Sequence, residues 1–94
     1  MVVGVIEIAL AVPASSLKEK RGIVKRVLAR TRNAFNVSGA EVDEQDSHTA
    51  AVLGFCSVGS DARYLEGQLR KLETFVDGLS LAEVTDSSLV LEHY

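Results

Sequence analysis

The first 36 residues change their hydrophobic period once, at Pro13. Residues 2–12 alternate with a period of two, which is typical of a β-strand. Residues 15–36 repeat their apolar side chains at steps of three and four, which is typical of an amphipathic helix. Pro13 ends the strand because it cannot donate a hydrogen bond to a ladder. The chain is therefore predicted to open with a strand that leads directly into a helix.

The two sides of this first strand differ in bulk. One side is large and aliphatic and is predicted to face the helices: Ile6, Ile8, Leu10 and Val12. The other side is small and largely apolar, which is unusual for a solvated face: Val3, Val5, Glu7, Ala9 and Ala11. Monomers seldom leave a contiguous apolar patch exposed. We therefore expect a homo-oligomer, most simply a dimer, that uses Val3, Val5, Ala9 and Ala11 or a sheet edge. The alternative is that these side chains expose too little area to drive association.

The helix that follows combines an apolar stripe with a basic flank. The stripe consists of Leu17, Val24, Val27, Leu28, Thr31 and Phe35. Ser16 and Glu19 have the spacing of a capping box, in which each side chain accepts a hydrogen bond from a backbone N–H of the first turn. Lys20 lies close to the stripe, and we expect its ammonium group to extend to solvent.

Two strands follow this helix. Residues 36–43 are predicted to form a short strand with a bulge or a close backbone contact at Gly39. Residues 44–48 form a turn, and residues 49–58 form a strand that is apolar on both faces, as expected at the centre of a sheet.

A second helix and a last strand complete the chain. Ser60 or Asp61 is expected to cap the helix, and Gly78 is expected to end it. The apolar stripe of this helix consists of Leu65, Leu69, Leu72 and Val76. Residues 79–92 supply the last strand, with an irregularity at Asp86-Ser-Ser, residues 86–88.

The order β-α-β-β-α-β predicts an α+β fold, the ferredoxin-like βαββαβ sandwich. In this fold a four-stranded antiparallel sheet carries both helices on one face. Strands one and three are central, which agrees with their being the most apolar. A chain of 94 residues is enough for one core. Residues 1–94 are therefore predicted to form a single ferredoxin-like domain.

Three features of the sequence favour a cytoplasmic protein. No stretch is long enough to span a bilayer, and residues 1–12 lack the basic start and cleavage site of a signal peptide. The single cysteine, Cys56, excludes an internal disulfide and a multi-cysteine zinc site. It is expected to be a packed small hydrophobic residue.

The charge is strongly asymmetric. Seven of the ten basic residues lie between Lys18 and Arg32 and are opposed only by Glu19, so this helix carries +6 and the remainder of the chain −9. Lys18, Arg21, Lys25 and Arg32 follow one flank of the helix and could contact a phosphate backbone. The alternative is that these residues only solvate the outer surface of the helix.

The residues give little support to metal binding, cofactor binding or catalysis. Asp43, Glu44, Asp46 and His48 share one turn, but their spacing matches no closed metal site, and Asp46 is expected to shape the turn through its own backbone. Neither GxGxxG nor GxxxxGK[ST] occurs, so no cofactor is predicted. His48 has no nucleophile motif nearby, so we assign no catalytic residue and expect no enzymatic activity.

The chain resembles the YlxP-like family of small bacterial proteins, domain-of-unknown-function family 503. The resemblance rests on the Ser-Leu-Lys-Glu-Lys-Arg string at residues 16–21, Arg-Asn at 32–33, Phe-Asn-Val-Ser at 35–38, Glu-Val-Asp at 41–43 and Gln-Asp at 45–46. It extends through Leu-Gly at 53–54 and Ser-Asp at 60–61. It implies a ferredoxin-like fold, a bacterial cytoplasmic setting and, since such genes often lie near those for translation initiation and ribosome maturation, contact with RNA or ribosomes. It supplies no catalytic residue.

The chain departs from the family pattern in two places. Many members have an aromatic residue and an arginine just after the Gln-Asp pair, where this chain has His48 and Ala50. Many have a larger apolar residue at the position of Gly39. The first departure removes a stacking and phosphate-contact pair.

Two functions therefore stay open. The first is an accessory contact to RNA or a ribosomal particle through the basic helix. The second is a homo-oligomeric module that binds a protein or a small ligand and no nucleic acid.

Overall fold

The structure, a computed structural model, describes residues 1–94. The six elements, in chain order, are β1 (Val2–Ala11), α1 (Leu17–Ala34), β2 (Ser38–Asp43), β3 (Ala50–Gly59), α2 (Ala62–Gly78) and β4 (Glu83–His93). The strands form one sheet in the order β2-β3-β1-β4, and every neighbouring pair is antiparallel. This confirms the predicted ferredoxin-like sandwich, with β1 and β3 at its centre.

The core lies between the sheet and the helix layer. The four bulky residues of β1 and its continuation are buried as predicted: Ile6, Ile8, Leu10 and Val12. The predicted stripe of α2 is also buried: Leu65, Leu69, Leu72 and Val76. Gly4 lets α2 approach β1 closely, since an added Cβ would lie 2.6 Å from Leu69 Cδ1. The alternation of β1 thus sets which side of the sheet the helices cover.

Side chains cap both helices at their starts. Ser16 Oγ accepts a hydrogen bond from the Glu19 N–H at 3.1 Å. Glu19 does not return the bond, because its carboxylate accepts instead from the Ser15 hydroxyl at 3.2 Å, so only half of the predicted capping box forms. Asp61 caps α2 by accepting from the N–H groups of Arg63 and Tyr64.

The end of α2 differs from the prediction. Gly78 is the last helical residue and does not have a positive φ. The left-handed residue is Ser80, with φ 57°. The chain therefore leaves the helix two residues later than a Gly78 cap requires.

The irregular positions of the sheet fall close to those predicted. At Gly39 a close contact is present, because an added Cβ would lie 2.6 Å from two carbons of the Phe55 ring. The bulge of β2 lies further along, between Glu41 and Asp43. In β4 the register shifts at Thr85, one residue before the predicted Asp86. Neither helix is long and apolar enough to cross a membrane.

Candidate nucleic-acid interface and open sheet face

Helix α1 presents one side to the core and the other to solvent. Its buried residues are Lys20, Ile23, Val24, Val27, Leu28 and Thr31. Leu17 and Phe35, which the sequence placed on this stripe, are only half-buried because they lie at and beyond the helix ends. The remaining surface of α1 is solvated along its whole length.

The four predicted nucleic-acid residues form one surface, which we call the basic flank: Lys18, Arg21, Lys25 and Arg32. All four are exposed. At 3.6 residues per turn they lie within an arc of about 60°, and the row is about 21 Å long. The flank borders Leu28, whose side chain approaches Gly39 of β2. The basic flank therefore lies above the β2 edge of the sheet.

The exposed cations of α1 have no acidic partners. Six are exposed, the basic flank plus Arg26 and Arg30, and none forms an ion pair. The two ion pairs of the molecule are Lys20–Glu41 and Arg70–Glu73. The Arg32 guanidinium donates to the Gly39 carbonyl oxygen at 3.0 Å, which fixes one end of the flank against β2 and leaves its other N–H groups free.

Lys20 is buried, so the predicted extension to solvent is wrong. Its side chain is 1% exposed, and Nζ lies 2.8 Å from Glu41 Oε2. Nζ also donates to the Glu44 carbonyl oxygen at 2.6 Å. Glu41 Oε2 has no well-aligned hydrogen-bond donor, so its attraction to Lys20 is mainly ionic. Lys20 therefore ties α1 to the end of β2 and to the turn after it.

The turn between β2 and β3 is shaped by other residues than the predicted Asp46. Asp43 Oδ1 accepts from the Glu44 N–H at 2.8 Å, and Glu44 has φ 63°. Ser47 Oγ accepts hydrogen bonds from the backbone N–H groups of Thr49 at 3.3 Å and Ala50 at 3.2 Å. Asp46 and His48 are exposed, and no three His, Cys, Asp or Glu side chains lie together as metal ligands.

One aromatic residue that the sequence did not single out lies near the C-terminal end of α1. Tyr64, in the first turn of α2, is 68% exposed. It lines a cleft of about 230 Å³ with Phe35 and Val37, which follow α1. Phe35 itself packs edge-on against Phe75. The antiparallel arrangement of the helices brings Tyr64 to this end, which the sequence alone could not show.

The side of the sheet away from the helices is uncovered, and we call it the open sheet face. It is made of Val3, Val5, Glu7, Ala9 and Ala11 of β1, Val52, Gly54, Cys56 and Val58 of β3, Ala40 and Val42 of β2, and Glu83, Asp86, Ser88, Val90 and Glu92 of β4. The predicted interface residues of β1 all lie here, and their role in an oligomer stays a prediction. Cys56 is exposed on this face, so its predicted packing in the core is wrong.

A hydrogen bond marks one end of this face. The Tyr94 hydroxyl donates to Glu92 Oε2 at 3.1 Å. This bond, with the negative charge of Glu92, raises the pKa of Tyr94 above its ordinary value of 10.0.

Two known proteins resemble the chain. It is 39% identical over 72 residues to the uncharacterized protein YlxP of Bacillus subtilis strain 168, and the match covers 77% of this chain and 78% of that protein. The crystal structure of a mutant of SnoaB, a cofactor-independent oxygenase from Streptomyces nogalater, superposes with a TM-score of 0.48 and 15% identity, over 99% of this chain and 92% of that one. The second likeness is too weak to bear on activity.

A family assignment follows from the sequence match. Residues 3–89 match the family described as protein of unknown function DUF503. With the identity to YlxP over most of both chains, this confirms the resemblance seen in the residues. The chain belongs to the DUF503 family, whose function is uncharacterised.

Proposed function

We propose that the protein is a non-enzymatic accessory factor of the bacterial cytoplasm that contacts RNA, free or in a ribosomal particle, through the basic flank of α1. One observation carries the proposal: six exposed cations share one helix and none has an acidic partner. Pairs with acids three or four residues away would stabilise the helix, but Glu19 is the only acid of α1 and has no cation at those positions. An unpaired row is available to phosphate groups instead.

The contact we propose is to the phosphate backbone. Lys18, Arg21 and Lys25 would neutralise successive phosphates and release their counterions. Arg32, fixed against the Gly39 carbonyl, would hold the end of the row in place. Such contacts position a protein on RNA without reading its sequence.

The opposite side of the molecule is a poorer candidate for RNA. Sheet-surface recognition of RNA stacks bases on exposed aromatic residues of the strands. The open sheet face carries valines, alanines and carboxylates, and Phe55 of β3 is buried. The self-association predicted from β1 would use this open sheet face and not the basic flank, so the RNA contact does not depend on it.

The test compares two matched double substitutions. Arg21→Glu with Lys25→Glu reverses two charges of the basic flank, and Arg63→Glu with Lys71→Glu reverses two exposed, unpaired charges of α2. Both variants have the same net charge. Binding to small ribosomal subunits and to a structured RNA is measured over a range of salt concentrations.

We expect wild type and the α2 variant to bind with similar affinity and the α1 variant to bind at least tenfold more weakly. A plot of log affinity against log salt has a negative slope, and its magnitude should decrease by about 1.4–1.8 in the α1 variant. Two phosphate contacts are lost, and each contributes about 0.7–0.9 to the slope. Equal losses in the two variants would show that only net charge matters. Equal binding by all three proteins would disprove the proposal.

A further inference from the structure

The exposed hydrophobic residues of the molecule are concentrated on the open sheet face. Val58, Val90, Val42 and Val5 are 63%, 53%, 46% and 39% exposed. They are four of the seven large hydrophobic residues that the molecule exposes. A contiguous apolar patch of this kind marks an interaction surface more often than a solvated one.

The charges of the open sheet face all have one sign. Its charged residues from β1 and β4 are Glu7, Glu83, Asp86 and Glu92, and Asp43 lies opposite Val52 at its β2 edge. All ten Lys and Arg residues of the chain lie on α1 and α2. The helix layer therefore holds every Lys and Arg side chain, and the opposite face of the sheet is apolar and acidic.

We propose that the open sheet face binds a cationic amphipathic helix of another protein. Four strands about 4.8 Å apart form a face about 14 Å wide, which matches one helix about 10–12 Å in diameter. The apolar side of such a helix would cover the valines, and its Lys or Arg residues would reach the carboxylates. Charge complementarity of this kind sets the partner and its orientation.

One cation of the partner has a defined place on this face. Beside Glu7, Gly54 has no side chain and Ser88 has a small one. Glu7 and Asp86 line a depression of about 170 Å³ there, and neither is in an ion pair. A Lys or Arg side chain that entered it would contact two carboxylates.

The residues of β1 alone predict a second copy of this chain on this face, and that copy is the competing occupant. Two open sheet faces in contact would bring at least eight carboxylates together with no Lys or Arg from either sheet. Like charges placed across an interface oppose association. A cationic helix avoids this repulsion and covers the same valines.

The test uses three synthetic 18-residue peptides and NMR spectra of the ¹⁵N-labelled protein. The first peptide segregates leucine and lysine on opposite sides of a helix. The second is a scrambled sequence of the same composition, and the third replaces each lysine with glutamate.

The protein variants test the two components of the face. Glu7→Lys with Asp86→Lys reverses charge on the open sheet face, and Glu66→Lys with Asp77→Lys makes the same change on exposed positions of α2. Val90→Ser removes apolar area without changing charge, and sedimentation of the protein alone gives its oligomeric state.

We expect the amphipathic cationic peptide to shift the amides of β1, β3 and β4 and to bind at least tenfold more tightly than either control peptide. The Glu7–Asp86 variant should bind it at least tenfold more weakly, Val90→Ser several-fold more weakly, and the α2 variant within twofold of wild type. Equal binding of the three peptides, or shifts confined to the helices, would overturn the proposal. So would a wild-type dimer that Val90→Ser converts to a monomer, because a second copy would then cover the face.

Discussion

The Lys20 side chain joins three parts of the molecule at a single buried point. Its ammonium group lies against Glu41 of β2 and the carbonyl oxygen of Glu44 in the following turn. Glu41 keeps partial contact with solvent, since its side chain is 19% exposed. A buried charge that loses its partner is costly, whereas replacement of both members of an ion pair by apolar residues of similar volume is often tolerated.

Two variants at this point should therefore differ in effect. Lys20→Ala leaves a cavity and an unpaired Glu41, and we expect it to lower the free energy of unfolding by about 3 kcal/mol. Lys20→Met with Glu41→Leu removes both charges and retains most of the volume, and we expect a loss of about 1 kcal/mol or less. Urea denaturation followed by circular dichroism measures both. Equal losses would show that the ionic link itself stabilises this point, and that the cost of leaving Glu41 unpaired is small.

Gly39 is constrained by contact and not by its backbone angles. No glycine of the chain has a positive φ, but the Phe55 ring occupies the space that a Cβ on residue 39 would need. Gly39→Ala should therefore force Phe55 to move and destabilise the protein by about 1–3 kcal/mol, as overpacking does. Urea denaturation of this variant that shows no loss of stability would mean that the ring can shift freely.

At the scale of single elements, α1 contains a glycine that the fold does not require. Gly22 lies in the helix interior and is exposed, and an added Cβ would meet nothing within 4 Å. Gly22→Ala should raise the free energy of unfolding by about 1 kcal/mol, because alanine loses less backbone entropy in a helix. The charges of the basic flank do not change, so RNA affinity should stay within twofold. Thermal unfolding and the RNA assay check the two expectations, and a loss of stability would contradict the first.

The cap of α2 gives a second expectation at this scale. Asp61 accepts from two backbone N–H groups of the first turn. Asp61→Ala should cost about 1 kcal/mol of stability, whereas Ser60→Ala, which removes no hydrogen bond, should cost little. Equal losses in thermal unfolding would contradict this assignment of the cap.

The elements could be predicted because their signals are local. The alternation of β1 and the leucine stripe of α2 each depend on spacing along one segment, and the structure buries the predicted residues. The partner of Lys20 could not be predicted in this way, since Glu41 lies 21 positions away on another strand. Cys56 was misplaced because a strand that is apolar on both faces does not reveal which face the helices cover.

At the scale of the whole molecule, the sandwich separates charge by layer. Every Lys and Arg lies on a helix, and the open sheet face carries only carboxylates among its charged groups. The sequence predicted the basic flank, because its four residues share one helix. It did not predict the acidic character of the open sheet face, because Glu7 comes from β1 and three further acids come from β4 and meet it only in the sheet.

The proposed function requires that the basic flank is the surface that meets RNA. An NMR titration of the ¹⁵N-labelled protein with a short RNA hairpin, at low and at raised salt, tests this directly. We predict that the largest amide shifts fall on exposed positions of α1 between Lys18 and Arg32 and that they weaken steeply as salt rises. Shifts centred on β1 and β3, or no shifts at low salt, would contradict the account.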